Sequence, residues 1–484
     1  MPSLANPATL GKICCHTLSY MISNLSVAFP GTDTYDESVE SYFSKQQESL
    51  HPACIVMPQN AQDVADIIIP LGTMQRSQCK LAIRSGGHAS WAGASNIADG
   101  VVVDLRALDD IDVNQDTSVV SLGAGATWDT AYEVLDQLGL SVNGGRAAGV
   151  GVGGSTLGGG LSFFSPRYGW TCDSALSFEV VLANGSIVEA SDAQNQDLLF
   201  ALRGGNNNFG IVTRITLETF HQGLIWSGTF HTSIDYADNQ IAEFVEISSA
   251  DPYDQYASFS TTFGYSQIAG HSAIYNHLTY TKEEENPPIY RGIRNLPLQV
   301  KYTDTTRMAE LAKRTEAIQL YGVRRLTRVA TIIPTVPLLK AAVMHWNRSI
   351  VPIADVVDLV WDLTFEPLPS EIYARAVDEN ALGLSDRTGP LVIVSFLATW
   401  SNEQDDKQIY DLAHALISSI VGEAESRNAS DPFLYLNYAA QDQDPIASYG
   451  DRSVWRLKQV RERVDPAGVF TFQVPGGYKF PVKD

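Results

Sequence analysis

The segment "GGRAAGVGVGGSTLGGGLSFFSPRYGWTCDS", Gly144 to Ser174, constrains this chain more than any other. Glycine loses more conformational freedom on folding than any other residue, so such a run marks backbone that must turn sharply or approach another group closely. Two shorter stretches share its character: "RSGGHAS", Arg84 to Ser90, after a strand-like "KLAI", and "GAGATW", Gly123 to Trp128, ahead of a helical pattern. Backbone N–H groups unshielded by side chains can converge on one anion, such as a diphosphate. Gly149, Gly151 and Gly154 spell G-x-G-x-x-G, with Asp173 further on. A polar loop precedes them and Gly158-Gly159-Gly160 and Pro166 follow, so the strand-to-helix context of a Rossmann unit is missing.

The chain has 484 residues, enough for two domains, and 44% apolar residues give it ample core. A formal net charge of -22 argues against nucleic acid or an anionic membrane as partner. No apolar run is long enough to span a bilayer. The opening "MPSLANPATLGKICCHTLSYMISNLSVAF" lacks a clean secretory signal, which predicts an intracellular protein. Cys14, Cys15, Cys54, Cys79 and Cys172 give neither a disulfide framework nor a metal pattern. No metal is expected, and the sequons at Asn24, Asn184, Asn347 and Asn428 are read as chance.

"ACIVMP", "NAQDVADIII" with Asn60 as cap, and "KLAIRSGG" read as β-α-β. "GVVVDL" and "SVVSLGAGA" read as strands, followed by a helix from Thr127 closed by Gly139. Asn184-Gly185 sits between alternating apolar runs and predicts a hairpin, and "GIVTRITLETF" a further strand. Beyond about residue 218, aromatic strands alternate with long helices, which predicts a larger antiparallel sheet with helices on one face.

"RSGGHAS", "GAGATW", "GVGVGGSTLGGGLSFFSPRYGWTCD", "RGGNNNFGIVT" and the closing "YLNYA", "SYG" and "DPAGVFTFQVPGGYK" together resemble the berberine bridge enzyme-like branch of the vanillyl-alcohol oxidase/p-cresol methylhydroxylase (PCMH) superfamily. The resemblance implies an α+β, two-domain PCMH-type fold. Residues 1–218 (core about 48–220) and a C-terminal return over 425–484 would form the FAD domain, and 219–424 the substrate domain. In the family a histidine directly after the double glycine is bonded to the 8α carbon of FAD; here that residue is His88. A second bond, from a cysteine, falls on Ala147, which has no nucleophile, so a single covalent link is expected. By the same resemblance Arg84, Ser85, Gly86, Gly87, Ala89, Gly153, Gly154, Ser155, Gly158, Gly159, Gly160, Asp173, Gly210, Ile211 and Val212 would cradle FAD, mostly through backbone. Asn437 and Tyr438 would return beside the isoalloxazine ring.

In "LVWDLTFEPLP", Asp362, Thr364 and Glu366 alternate onto one strand face. Family bases come from this region, so Asp362 and Glu366 are candidates, either alone or as the acidic partner of Tyr438. The resemblance implies an FAD-dependent oxidase of a small organic molecule in specialised metabolism, with hydride passing to flavin N5 and O2 taking up the electrons. An aromatic roof would suit a largely apolar substrate. A cyclase or isomerase without net oxidation, a carbohydrate or alcohol oxidase, and a binding protein on the same scaffold are the alternatives. Oligomeric state is open.

Overall fold

The computed structural model describes residues 6–73, 79–317, 319–375 and 379–480. Strands Cys54–Met57 and Leu81–Arg84 both run parallel to Val101–Asp104, which lies between them. The helix Ala61–Thr73 connects the outer two, capped by Asn60, whose side chain accepts from the Asp63 N–H at 3.0 Å. Val101, Val102 and Val103 are all buried, as a strand covered on both faces requires. Ser26–Ala28 adds an antiparallel edge.

The N-terminal helix Pro7–Met21 was not anticipated from the sequence. Asn6 caps it and Pro7 opens it, while Gly11, Cys14, Cys15 and Leu18 form its buried stripe. A Cβ on Gly11 would stand 1.8 Å from the Asp99 carbonyl oxygen, so only glycine allows this approach. The same helix corrects the cysteine reading: Cys14 pairs with Cys79 and Cys15 with Cys54, leaving Cys172 a buried free thiol. The partners lie 65 and 39 residues apart in sequence, a separation that spacing rules do not detect. Residues 1–5, part of the stretch read for a signal, lie outside the described residues.

A second, five-stranded antiparallel sheet contains the hairpin Ala175–Val181/Ile187–Ser191, turning at Gly185 with φ +81°. The third sheet has eight strands in the order Leu298–Thr306, Ile225–Ser233, His271–Tyr280, Ala257–Ser266, Val360–Leu368, Leu391–Trp400, Arg324–Ile332, Ser430–Asp431. Helices Ala237–Ser248, Val336–Ile350 and Asp406–Ser426 pack into one buried cluster with Phe230, Phe263, Leu363, Phe365 and Phe396 from one face. The opposite face carries Thr229, His231, Tyr275, His277, Thr262, Asp362, Thr364 and Ser395. Strand alternation therefore overturns the aromatic roof: most of the rings point to the helices, and a mainly polar face turns to the glycine loops.

Candidate active site

The three glycine stretches converge. A Cβ on Gly151 would lie 2.3 Å from the Gly86 nitrogen, so two glycine backbones touch. Ser85 Oγ donates to the Ala124 carbonyl at 2.7 Å, and the Val152 N–H to the Ala126 carbonyl at 2.8 Å. A Cβ on Gly153 would stand 2.8 Å from the Ala124 oxygen, whereas Gly154 is exposed with nothing within 4 Å of its Cβ direction. Ser155 Oγ accepts from Trp128 Nε1 at 2.8 Å. Asn437 closes the floor: its amide donates to the Ser155 carbonyl at 2.9 Å, and its oxygen stands 2.0 Å from where a Gly158 Cβ would be.

Several sequence-predicted residues sit behind this floor. Gly159 (φ +103°) packs against Leu382, and Gly160 (φ +82°) against Thr171. Gly210, Ile211 and Val212 are buried where their strand pairs with Val180 and Val181. Arg84 turns its guanidinium onto Tyr42, 3.8 Å from the ring, and donates to Ser38 and Ser41. The Asp173 carboxylate accepts from the Trp170 N–H at 2.9 Å and from Asn380 at 2.7 Å, and burial pushes it up to about 6. Cys172 and Ala147 are buried.

His88 follows the Gly86-Gly87 turn, where Gly87 takes φ +71°, and Ala89 is half-buried beside it. Its imidazole stacks on Phe43 and meets the edge of Tyr321. Burial and, secondarily, Arg325 push it down to about 3, so the ring is neutral at physiological pH. Its Nε2 is buried without a hydrogen-bond partner among the described residues. Buried polar atoms are seldom left unsatisfied, and this one fits a ring that is completed by a bond to a cofactor. Open backbone at Gly154, beside close-packed glycine loops, fits a diphosphate.

Glu366 and Tyr438, proposed together from sequence, meet: the phenol donates to Glu366 Oε2 at 3.3 Å. Arg146, which sequence reading missed, joins them, donating to both Glu366 oxygens and to the Tyr438 hydroxyl. A lone cation in an otherwise glycine- and alanine-rich loop was the available signal. Burial raises the Tyr438 phenol well above its ordinary range, partly offset by Arg146. Asp362 stands apart on the same strand face, with no hydrogen-bond partner among the described residues, and burial pushes it up to about 7. Around it the polar face carries Tyr275 edge-on to His231 at 4.7 Å, and His277, which burial and neighbouring His231 push down to about 4. Thr262 and Thr364 share a 2.8 Å hydrogen bond. Among the described residues no cluster could hold a metal ion.

Residues 52–191 match the family model of an FAD binding domain. The chain is 42% identical, over 96% of its own length, to "Oligopeptidase PhomG'" of Diaporthe leptostromiformis, but spans only 37% of that protein. It is 37% identical to "FAD-dependent monooxygenase tpcD" of Cochliobolus heterostrophus, covering 96% of this chain and 94% of the relative. The solved structure of berberine bridge enzyme superposes with a TM-score of 0.76 at 16% identity, over 95% of this chain and 97% of that one. A matched flavin domain, a relative of this identity along nearly its whole length and a shared fold converge on one conclusion: the chain is an FAD-linked oxidoreductase, of one family with that relative and built on the fold of berberine bridge enzyme.

Proposed function

We propose that this enzyme oxidises a hydroxyl-bearing small molecule of fungal specialised metabolism, passing the substrate proton to Tyr438 and from there to Glu366. The observation that carries the reading is the Arg146–Glu366–Tyr438 cluster beside the Asn437–Gly158 contact. A phenol raised by burial keeps its own proton at neutral pH, so it accepts another only as its own departs. Glu366, at 3.3 Å, is the acceptor for that departure. Arg146 orients both groups through charge-assisted hydrogen bonds.

FAD supplies hydride acceptance at its N5 when bound. Ser85–Ala89, Gly153–Ser155 and Gly158, with Asn437 and Tyr438, would hold it chiefly through backbone, while Arg84, Gly159, Gly160 and Gly210–Val212 would brace that floor from behind. Asp173 would act through the loop it ties. His88 would carry a single covalent link, since Ala147 offers no nucleophile. Dioxygen would then take up the electrons as H2O2. The polar roof of His231, Tyr275, His277, Thr262 and Thr364 supports a substrate with further hydroxyl or carbonyl groups on its carbon frame. Two disulfides support maturation in an oxidising compartment rather than a reducing cytosol.

The test is steady-state turnover of Tyr438→Phe and Glu366→Gln under labelled dioxygen. Loss of kcat by about 10²–10⁴ in Tyr438→Phe, with flavin content unchanged, is expected for a proton acceptor. Unchanged kcat would remove the relay. Equimolar H2O2 without label in the product identifies an oxidase, and label in the product a monooxygenase. A second reading is favoured by the unpartnered Asp362 carboxyl near pH 7. An acid limb near that pH that disappears in Asp362→Asn, while Tyr438→Phe still turns over, would move the base to Asp362.

A further inference from the structure

The His88 imidazole lies on Phe43 with 3.6 Å between ring centroids and 17° between planes. The Arg325 guanidinium lies 3.4 Å over the same phenyl ring. Two groups stacked this close to one centroid occupy opposite faces, so Phe43 is the middle layer of an imidazole–phenyl–guanidinium sandwich. Backbone holds each layer. The Phe43 N–H donates to the Gly87 carbonyl at 3.3 Å, the Gly322 N–H to the Phe43 carbonyl at 3.3 Å, and the Arg325 N–H to Gln46 Oε1 at 3.2 Å.

Arg325 is 2% exposed, and no acidic partner faces it among the described residues. Burial pulls it down to about 10, which still leaves it charged at neutral pH. A guanidinium favours the electron-rich face of a phenyl ring. An imidazolium on the other face would place a second buried cation against the same ring with no counter-ion, whereas a neutral imidazole brings no such repulsion. The other groups around His88 are Tyr321, edge-on at 6.0 Å, and Tyr42 with a second cation, Arg84, which lie against Gly87. None supplies a compensating anion.

We propose that Arg325, acting through Phe43, is a positioning residue for cofactor attachment: it adds to burial in keeping the His88 ring neutral and seats that ring for bonding to the flavin. The inference rests on His88 being the tether. In that step a ring nitrogen forms a C–N bond to the 8α carbon. One C–H of that methyl and the imidazole N–H leave as protons. The electron pair of the broken C–H bond stays on the flavin, which is thereby reduced by two electrons until dioxygen removes them as H2O2. Only a ring nitrogen with a free lone pair can make the bond, so protonation of His88 stops it.

The experiment follows covalent loading rather than turnover. Full-length apoprotein with its disulfides intact is mixed with FAD between about pH 4.5 and 8.5, and flavin in the acid-precipitated pellet is counted against time. Total FAD bound before acidification is measured separately. Wild type and Arg325→Lys are expected to load at a rate flat to the acid end. Arg325→Gln should match them at alkaline pH but lose about tenfold per pH unit below a raised midpoint. Arg325→Met reads the same shift if Arg325→Gln fails to fold. Phe43→Leu should load more slowly at every pH, because the ring loses its seat. Superimposed profiles for wild type and the neutral Arg325 variants would overturn the proposal while leaving the flavin reading intact. Bound FAD that never enters the wild-type pellet would remove the His88 bond and this inference with it, and absence of bound FAD would overturn the flavin reading itself.

Discussion

The two faces of the eight-stranded sheet are built from alternate residues of the same strands, yet they solve different problems. Toward the helices, Phe230, Phe263, Phe365 and Phe396 interlock with Trp346 and are fully buried. Toward the glycine loops, Asp362, Thr364, Tyr275 and His231 are half-buried and polar. One face supplies stability through apolar area; the other spends it, keeping titratable groups in poorly solvated positions. The lesson is that stability and chemistry are separable here at single-residue spacing, so a substitution's effect depends on its parity along the strand.

That separation can be broken in graded ways. Phe365→Ala, on the helix face, should cost about 3–5 kcal/mol of unfolding free energy by denaturant titration, with kcat unchanged in the protein that remains folded. Arg146→Gln, opposite the polar face, should cost about 1–3 kcal/mol because Glu366 loses its main donor. Unlike Phe365→Ala it should also lower kcat, and an effect on stability alone would deny Arg146 its orienting role. Gly264→Ala places a Cβ 2.7 Å from both Asp362 Oδ1 and the Tyr275 ring, displacing them with little change in stability. It should lower kcat/KM about fivefold, roughly 1 kcal/mol, mostly through KM. A further test concerns pH. Asp362 is raised from 3.8 to about 7 on folding, so between those values the folded chain binds more protons than the unfolded one. Stability contributed by this group therefore falls as pH rises across that window. Asp362→Asn should flatten the dependence of Tm on pH there, and an unaltered slope would show the carboxyl to be well solvated.

Much of the flavin half was legible because its signals are local. A double glycine before His88, an Asn-Gly hairpin and a helix closed by Gly139 each declare themselves within a few residues. The pairing of Glu366 with Tyr438 was legible through family resemblance, since the two lie 72 residues apart. Features that depend on distant partners were not. Arg146 acquires its meaning from Glu366, 220 residues away, and Cys14 from Cys79. Strand Leu298–Thr306 carries the polar pattern "LQVKYTDTT", because an edge strand need not be apolar on either face. The polarity of the roof was not legible in aromatic content, because which face each ring takes depends on its parity along the strand.

The closing of the glycine floor by Asn437 has a consequence in time. Leu81 of the flavin sheet donates to the Gln473 carbonyl at 2.7 Å, Asn208 to that of Tyr478 at 2.9 Å, and Asn437 to that of Ser155 at 2.9 Å. A chain still emerging from the ribosome carries His88 and all three glycine loops long before it carries these partners. Its cleft is therefore open-bottomed until those partners arrive, and a cofactor bound earlier would rest against an unfinished wall. That wall waits for residues 437–478 to be made and to fold back onto a half of the molecule that was built several hundred residues earlier.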